Sequence, residues 1–162
     1  MKVQVSTIVL AVLAVAVPSA QSFLKNQPQR VSVEARAVAG RGAGRFELQI
    51  AVTPKPGMHV YAPGNKGYTA VGVTLQPVEG VTFGTPVYPK AETYFFAPLK
   101  ETVLVYSTPF TLRVPVRVTG GAATIRGTLD YQACDDRLCY PPRSAPFTVT
   151  VPPPKGAAER TR

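Results

Sequence analysis

From Val31 onward apolar and polar residues alternate nearly one for one, and this period restricts the fold more than any other feature of the chain. Val31, Val33, Ala35 and Ala37 alternate with Ser32, Glu34 and Arg36, and Phe46, Leu48, Ile50 and Val52 with Glu47, Gln49 and Ala51. A side-chain period of two places the apolar set on one face of a half-buried strand. Met58-His59-Val60-Tyr61 begins another such run; Val71, Val73 and Leu75 continue the pattern, as do Val103 and Val105. Residues 110–118 and 122–133 predict two longer strands around Thr119-Gly120-Gly121, and Phe147, Val149 and Val151 close the set. Turns fall at the glycine-rich segment 40–44 and at Pro54-Lys55-Pro56-Gly57. No window after the amino-terminal leader repeats at 3.6. Eight or nine short strands punctuated this way predict an all-β domain, an immunoglobulin-like β-sandwich, with a barrel as the second reading. Pro115, inside a strand, predicts an edge or a bulge there.

The leader is of another kind. Lys2 precedes the apolar run Ile8 to Val17, and Pro18 and small residues follow. A basic start, an apolar run of about 7–15 residues and a small-residue site describe a secretory signal peptide, here residues 1–22, with cleavage after Ala20 or Ser22. The run is shorter than the roughly 18 residues needed to span a bilayer. The expected product is exported, periplasmic or equivalent, and soluble once the signal is cleaved. Its folded unit is residues 23–151, and residues 152–162, opening on Pro152-Pro153-Pro154, form a disordered basic tail.

Lys and Arg outnumber Asp and Glu 18 to 9, for a net charge of +9. The cations are spaced singly rather than clustered with aromatics, so the basic surface reads as a solvated exterior and not as a nucleic-acid interface. One histidine and two cysteines are too few for a four-ligand zinc site, and nothing in the sequence calls for a cofactor. His59 alone reads as an ordinary strand residue. Residues 84–100, with three prolines and four aromatics, do not alternate cleanly. They read as a long loop whose Tyr94-Phe95-Phe96 either covers a site or plugs the end of the sandwich.

The sharpest signal is Cys134 and Cys139, within Tyr131-Gln132-Ala133-Cys134-Asp135-Asp136-Arg137-Leu138-Cys139-Tyr140-Pro141-Pro142. Two cysteines in an exported chain can pair with each other, and four intervening residues suit a hairpin-like loop that brings the Cα atoms within disulfide range. Such a bond closes about six residues and stabilises by about 2 kcal/mol, against about 4.7 for a loop of about 100. That is a weak staple, and short exposed disulfides are the ones that exchange. Asp130, Asp135 and Asp136 roughly balance Arg137 and Arg143, and no helix terminus is at hand, so the usual devices for lowering a thiol pKa are missing. The pair reads as one that receives and passes electrons under a partner's control.

The YQ-x-C…C-Y-P-P run, with the Pro-Gly-Met-His-Val-Tyr-Ala-Pro segment at 56–63, resembles the family of amino-terminal periplasmic domains of the thiol:disulfide interchange protein DsbD. The resemblance spans about residues 28–151. It implies an immunoglobulin-like domain that takes electrons from a membrane-embedded dithiol and hands them to thioredoxin-fold periplasmic proteins, including those that mature cytochrome c. It also implies that Cys139 attacks the partner's disulfide and Cys134 resolves the mixed disulfide. Tyr94, Phe95 and Phe96 would form a cap loop, and Tyr61, Asp130, Tyr131 and Tyr140 would line the pocket. The chain departs from the pattern in having Met58 where the family usually has Trp, and one residue fewer between its cysteines than the best-known member. The sequence given ends at Arg162, before the membrane and thioredoxin-like domains that follow in the family, which leaves the electron donor open. The competing reading is an immunoglobulin-like binding module whose disulfide only clamps a recognition loop.

Overall fold

The computed structural model describes residues 28–154. The expected signal peptide and most of the basic tail therefore lie outside the described residues. Eleven strands run in the order β1 (Val31–Ala39), β2 (Arg45–Pro54), β3 (His59–Tyr61), β4 (Gly72–Leu75), β5 (Val81–Phe83), β6 (Glu92–Phe96), β7 (Glu101–Tyr106), β8 (Phe110–Val118), β9 (Ala123–Tyr131), β10 (Ala133–Cys134) and β11 (Arg143–Val151). They form three antiparallel sheets, ordered β1-β2-β8-β5, β10-β3-β7-β6 and β11-β9-β4. No helix of the described residues is long and apolar enough to cross a membrane.

The alternating residues do what their period requires. Leu48, Ile50 and Val52 of β2, Leu112, Val114, Val116 and Val118 of β8, Ile125 and Leu129 of β9, and Phe147, Val149 and Val151 of β11 are all buried in one core. The polar residues between them face outward, which is the sandwich architecture the sequence predicts. Gly127 is a fitted position within it, because an added Cβ would lie 2.7 Å from both the Phe147 ring and the Thr74 carbonyl oxygen.

The strand count and the setting of Pro115 have local causes. The count exceeds eight or nine because β5 and β6 are short and because the predicted strand 122–133 breaks at Gln132, where the chain leaves one sheet and enters another as β10. Gln132 secures that break, its side-chain oxygen accepting from the Thr69 N–H at 3.1 Å. Strand β8, which carries Pro115, lies inside its sheet rather than at an edge. The proline is tolerated because its neighbour gives way. Gly84 still donates to the Pro115 carbonyl and Val87 pairs with Arg113, leaving Thr85 and Pro86 to stand against Val114 alone. This bulge in the partner lies where the missing proline N–H would have donated.

Candidate functional site

The small sheet β10-β3-β7-β6 positions the cysteines, and it has two working faces. Val60, Ala133 and Tyr106 point into the main core. Tyr61, Cys134, Val103, Val105 and Phe96 form a second buried cluster on the opposite face, with Tyr68, Tyr94 and Cys139 packed against it. Strand β3 is buried at all three residues because it serves both clusters.

Cys134 and Cys139 are joined in a disulfide, their Cα atoms 4.0 Å apart. They face each other across the short hairpin that follows β10, flanked by backbone bonds from the Tyr140 N–H to the Ala133 carbonyl and from the Asp135 N–H to the Leu138 carbonyl. Residues opposed between such bonds form the close, non-hydrogen-bonded pair of an antiparallel ladder, which accounts for the short Cα separation. Asp135 braces the turn. Its Oδ1 accepts from the Arg137 and Leu138 N–H groups, each at 2.8 Å, and its Oδ2 from the Tyr140 hydroxyl at 2.8 Å. The Leu138 and Arg137 amides, then Tyr140, hold this carboxyl down at about 2. The Arg30 guanidinium lies 3.6 Å over the ring of Tyr140, the residue after Cys139.

The two sulfurs are not equivalent. Cys134 is fully buried, whereas Cys139 is partly exposed. The Tyr61 hydroxyl lies 3.2 Å from the Cys139 sulfur. Burial, followed by Tyr68 and the charge of Glu101, pushes the Tyr61 phenol up to about 12. Its ring stacks on Tyr68 at 4.2 Å, and the Tyr68 hydroxyl donates to the Glu101 carboxylate.

The aromatic segment is a hairpin rather than an irregular loop, with β6 paired to β7 and a turn at residues 97–100. Its rings divide by strand period. Tyr94 and Phe96 face the sulfur cluster, while Phe95 is 61% exposed on the other side. Tyr94 meets His59 with ring centroids 4.5 Å apart.

Of the pocket residues expected from sequence, Tyr61 and Tyr140 adjoin the hairpin, but Asp130 and Tyr131 do not join them. Tyr131 is buried in the main core, its hydroxyl donating to Gln29 and accepting from the Arg30 N–H. Asp130, one residue earlier on β9 and so on the opposite face, accepts from Thr74 and Ser144 and lines a separate groove of about 620 Å³. Tyr68, Glu101 and Asp135 were missing from the expected set. Asp135 alone carried a sequence signal, an Asp opening a four-residue turn. His59, expected as an ordinary strand residue, is 4% exposed, stands directly opposite Cys134 in the β3–β10 register, and has no partner for Nε2 among the described residues.

A family model described as thiol:disulfide interchange protein DsbD, N-terminal, matches residues 21–151. Among solved structures, the DsbD amino-terminal domain of Neisseria meningitidis in its reduced form is similar with a TM-score of 0.51 and 21% identity, covering 80% of this chain and 96% of that one. The amino-terminal periplasmic domain of ScsB from Proteus mirabilis is similar with a TM-score of 0.50 and 15% identity, covering 80% of this chain and 49% of that one. No curated protein sequence matches the chain.

Proposed function

The chain belongs to the family of DsbD amino-terminal domains, and on that premise we propose that it relays reducing equivalents through Cys134 and Cys139 to thioredoxin-fold partners outside the cytoplasm. The observation that carries the reading is the inequality of the two sulfurs, one sealed beneath aromatic rings and the other at the surface of a six-residue hairpin. In the reduced domain, the Cys139 thiolate attacks one sulfur of the partner's disulfide, and the partner's other sulfur leaves as a thiolate and takes a proton. Cys134, as thiolate, then attacks the Cys139 sulfur. The bond to the partner breaks, and its second sulfur leaves with the electron pair and is protonated. Two electrons and two protons pass to the partner, and the domain ends with the disulfide described above. A membrane-embedded dithiol reverses the sequence and reloads the domain.

Tyr94 and Phe96 act as the cap in this scheme, since their rings lie over the cluster that holds Cys134. Phe95 takes no part in that cover and is available to a docking partner.

Equilibration with glutathione buffers, followed by alkylation, tests the proposal. A potential near or above about −230 mV supports exchange, and one below about −300 mV assigns the bond a structural role. Cys134→Ala should trap a thioredoxin-fold disulfide protein through Cys139, whereas Cys139→Ala should trap far less because Cys134 is sealed. Equal trapping by the two variants would sink the assigned order of attack.

A further inference from the structure

The structure leaves one polar group near the sulfurs without an assigned role. His59 pairs across the ladder with Cys134, so both side chains emerge from the same face of the small sheet. The imidazole is enclosed. Tyr94 lies against it, and the rings of Tyr61 and Phe96 each stand 6.3 Å from its centroid, nearly edge-on. Its Nε2 is buried without a hydrogen-bond partner among the described residues. A buried nitrogen with nothing to bond bears an uncompensated desolvation cost. Phe or Leu would fill the same space without that cost.

In the disulfide form no thiol hydrogen exists at position 134 for Nε2 to accept. Reduction creates one on the same face. We propose that His59 is the proton acceptor for Cys134, taking its thiol proton as Cys134 closes on Cys139, and returning that proton when the domain is reloaded. In the forward direction Nε2 accepts the Cys134 proton and the resulting thiolate attacks the Cys139 sulfur. The new sulfur–sulfur bond forms as the bond to the partner breaks, and the imidazolium passes its proton to the departing partner thiolate or to water. The partner's disulfide is the only oxidant required. The inference rests on the exchange reading above and supplies the base that its resolving step leaves unnamed.

The surroundings suit an acceptor. The groups around the imidazole are Cys134 and Asp135 from the hairpin, Tyr61 on its own strand, and Tyr94 and Phe96 on β6. Burial lowers the imidazole pKa, opposed by the Asp135 charge. The ring is therefore neutral at neutral pH and free to accept. An unperturbed thiol is only about 3% thiolate at pH 7, so a base that removes this limitation gains at most about 30-fold there.

The reduced full-length chain reacting with Ellman's reagent reads the step directly. Release of the first thionitrobenzoate scales with reagent concentration, and release of the second, as the disulfide closes, does not. His59→Phe should slow the concentration-independent phase by roughly 10–30-fold at pH 7, with the deficit shrinking as pH rises and closing by about pH 10. His59→Gln, polar but unable to accept a proton at these pH values, should behave in the same way. Superposed or parallel pH profiles, or rescue by Gln, would overturn the proposal. If the wild-type chain shows no concentration-independent phase, the exchange reading itself fails, whatever the variants do. A readout independent of any variant comes from His59 being the sole histidine of the chain. Its NMR titration should move between the oxidised and reduced protein, and coincident curves would refute the coupling.

Discussion

Reducing the disulfide should weaken the domain without unfolding it. The bond closes only the six residues from Cys134 to Cys139, for which the chain-entropy relation gives about 2 kcal/mol. With an unfolding entropy of about 2.1 cal/mol/K per residue over about 125 folded residues, that is a fall in Tm of about 8 °C. The structure explains why the loss stops there. The hairpin keeps its backbone bonds and the Asp135 brace, and Leu48, Ile50, Leu112, Ile125 and Leu129 lie in the other cluster. Calorimetry with and without a phosphine reductant measures the shift, and the Cys134→Ala/Cys139→Ala chain should fall close to the reduced protein. A drop beyond about 20 °C, or loss of the folded baseline, would refute the reasoning and make the bond a staple. A family member that must alternate between dithiol and disulfide needs both states folded, so the same experiment bears on the proposed function.

Four further outcomes follow from the contacts of three residues. Tyr61→Phe removes the hydroxyl 3.2 Å from the Cys139 sulfur, and the pH profile of Cys139 alkylation in the reduced chain should move up by about one unit, the worth of one hydrogen bond to a charged sulfur. The wild-type phenol has its folded pKa raised to about 12 from 10.0; the stability it confers is complete below about pH 10 and is lost as pH rises through about 12, so alkaline unfolding of Tyr61→Phe should be the shallower across that range. Asp135 runs the other way: with its pKa held at about 2 against a reference of 3.8, its bracing of the hairpin is complete above about pH 4 and is lost as pH falls through about 2, which NMR of the Leu138 amide will follow. Gly127→Ala, meeting the Phe147 ring and the Thr74 carbonyl at 2.7 Å, should cost about 2 kcal/mol, read as a lower denaturant midpoint at an unchanged slope.

The sheets were legible because period two is written into β1, β2, β8, β9 and β11, and the cysteine hairpin because its cysteines are too close to staple anything else. The aromatic segment was harder to read. Tyr94, Phe95 and Phe96 are all aromatic, so hydrophobicity could not show that the middle ring faces away from the other two. Asp130 and Tyr131 could have been separated from sequence, since neighbours on a strand point to opposite faces and cannot both line one pocket. The pairing of His59 with Cys134 was beyond reach. It joins residues far apart in the chain, and its register depends on how β10 leaves the β9 sheet after Gln132. Pro115 raised two alternatives, an edge or a bulge, and the bulge is what is found: the partner strand accommodates the break and β8 remains interior.

Strand β3 has no solvent face, and its three residues divide between two interiors. Val60 belongs to the interior that keeps the domain folded; His59 and Tyr61 belong with the sulfurs. One backbone thus serves as a party wall between the two interiors. Substitution at Val60 should register in stability alone, whereas His59 and Tyr61 also bear on the exchange proposed for the sulfurs. If the proposed exchange holds, a designer wanting a different potential has His59 and Tyr61 to vary before touching the cysteines.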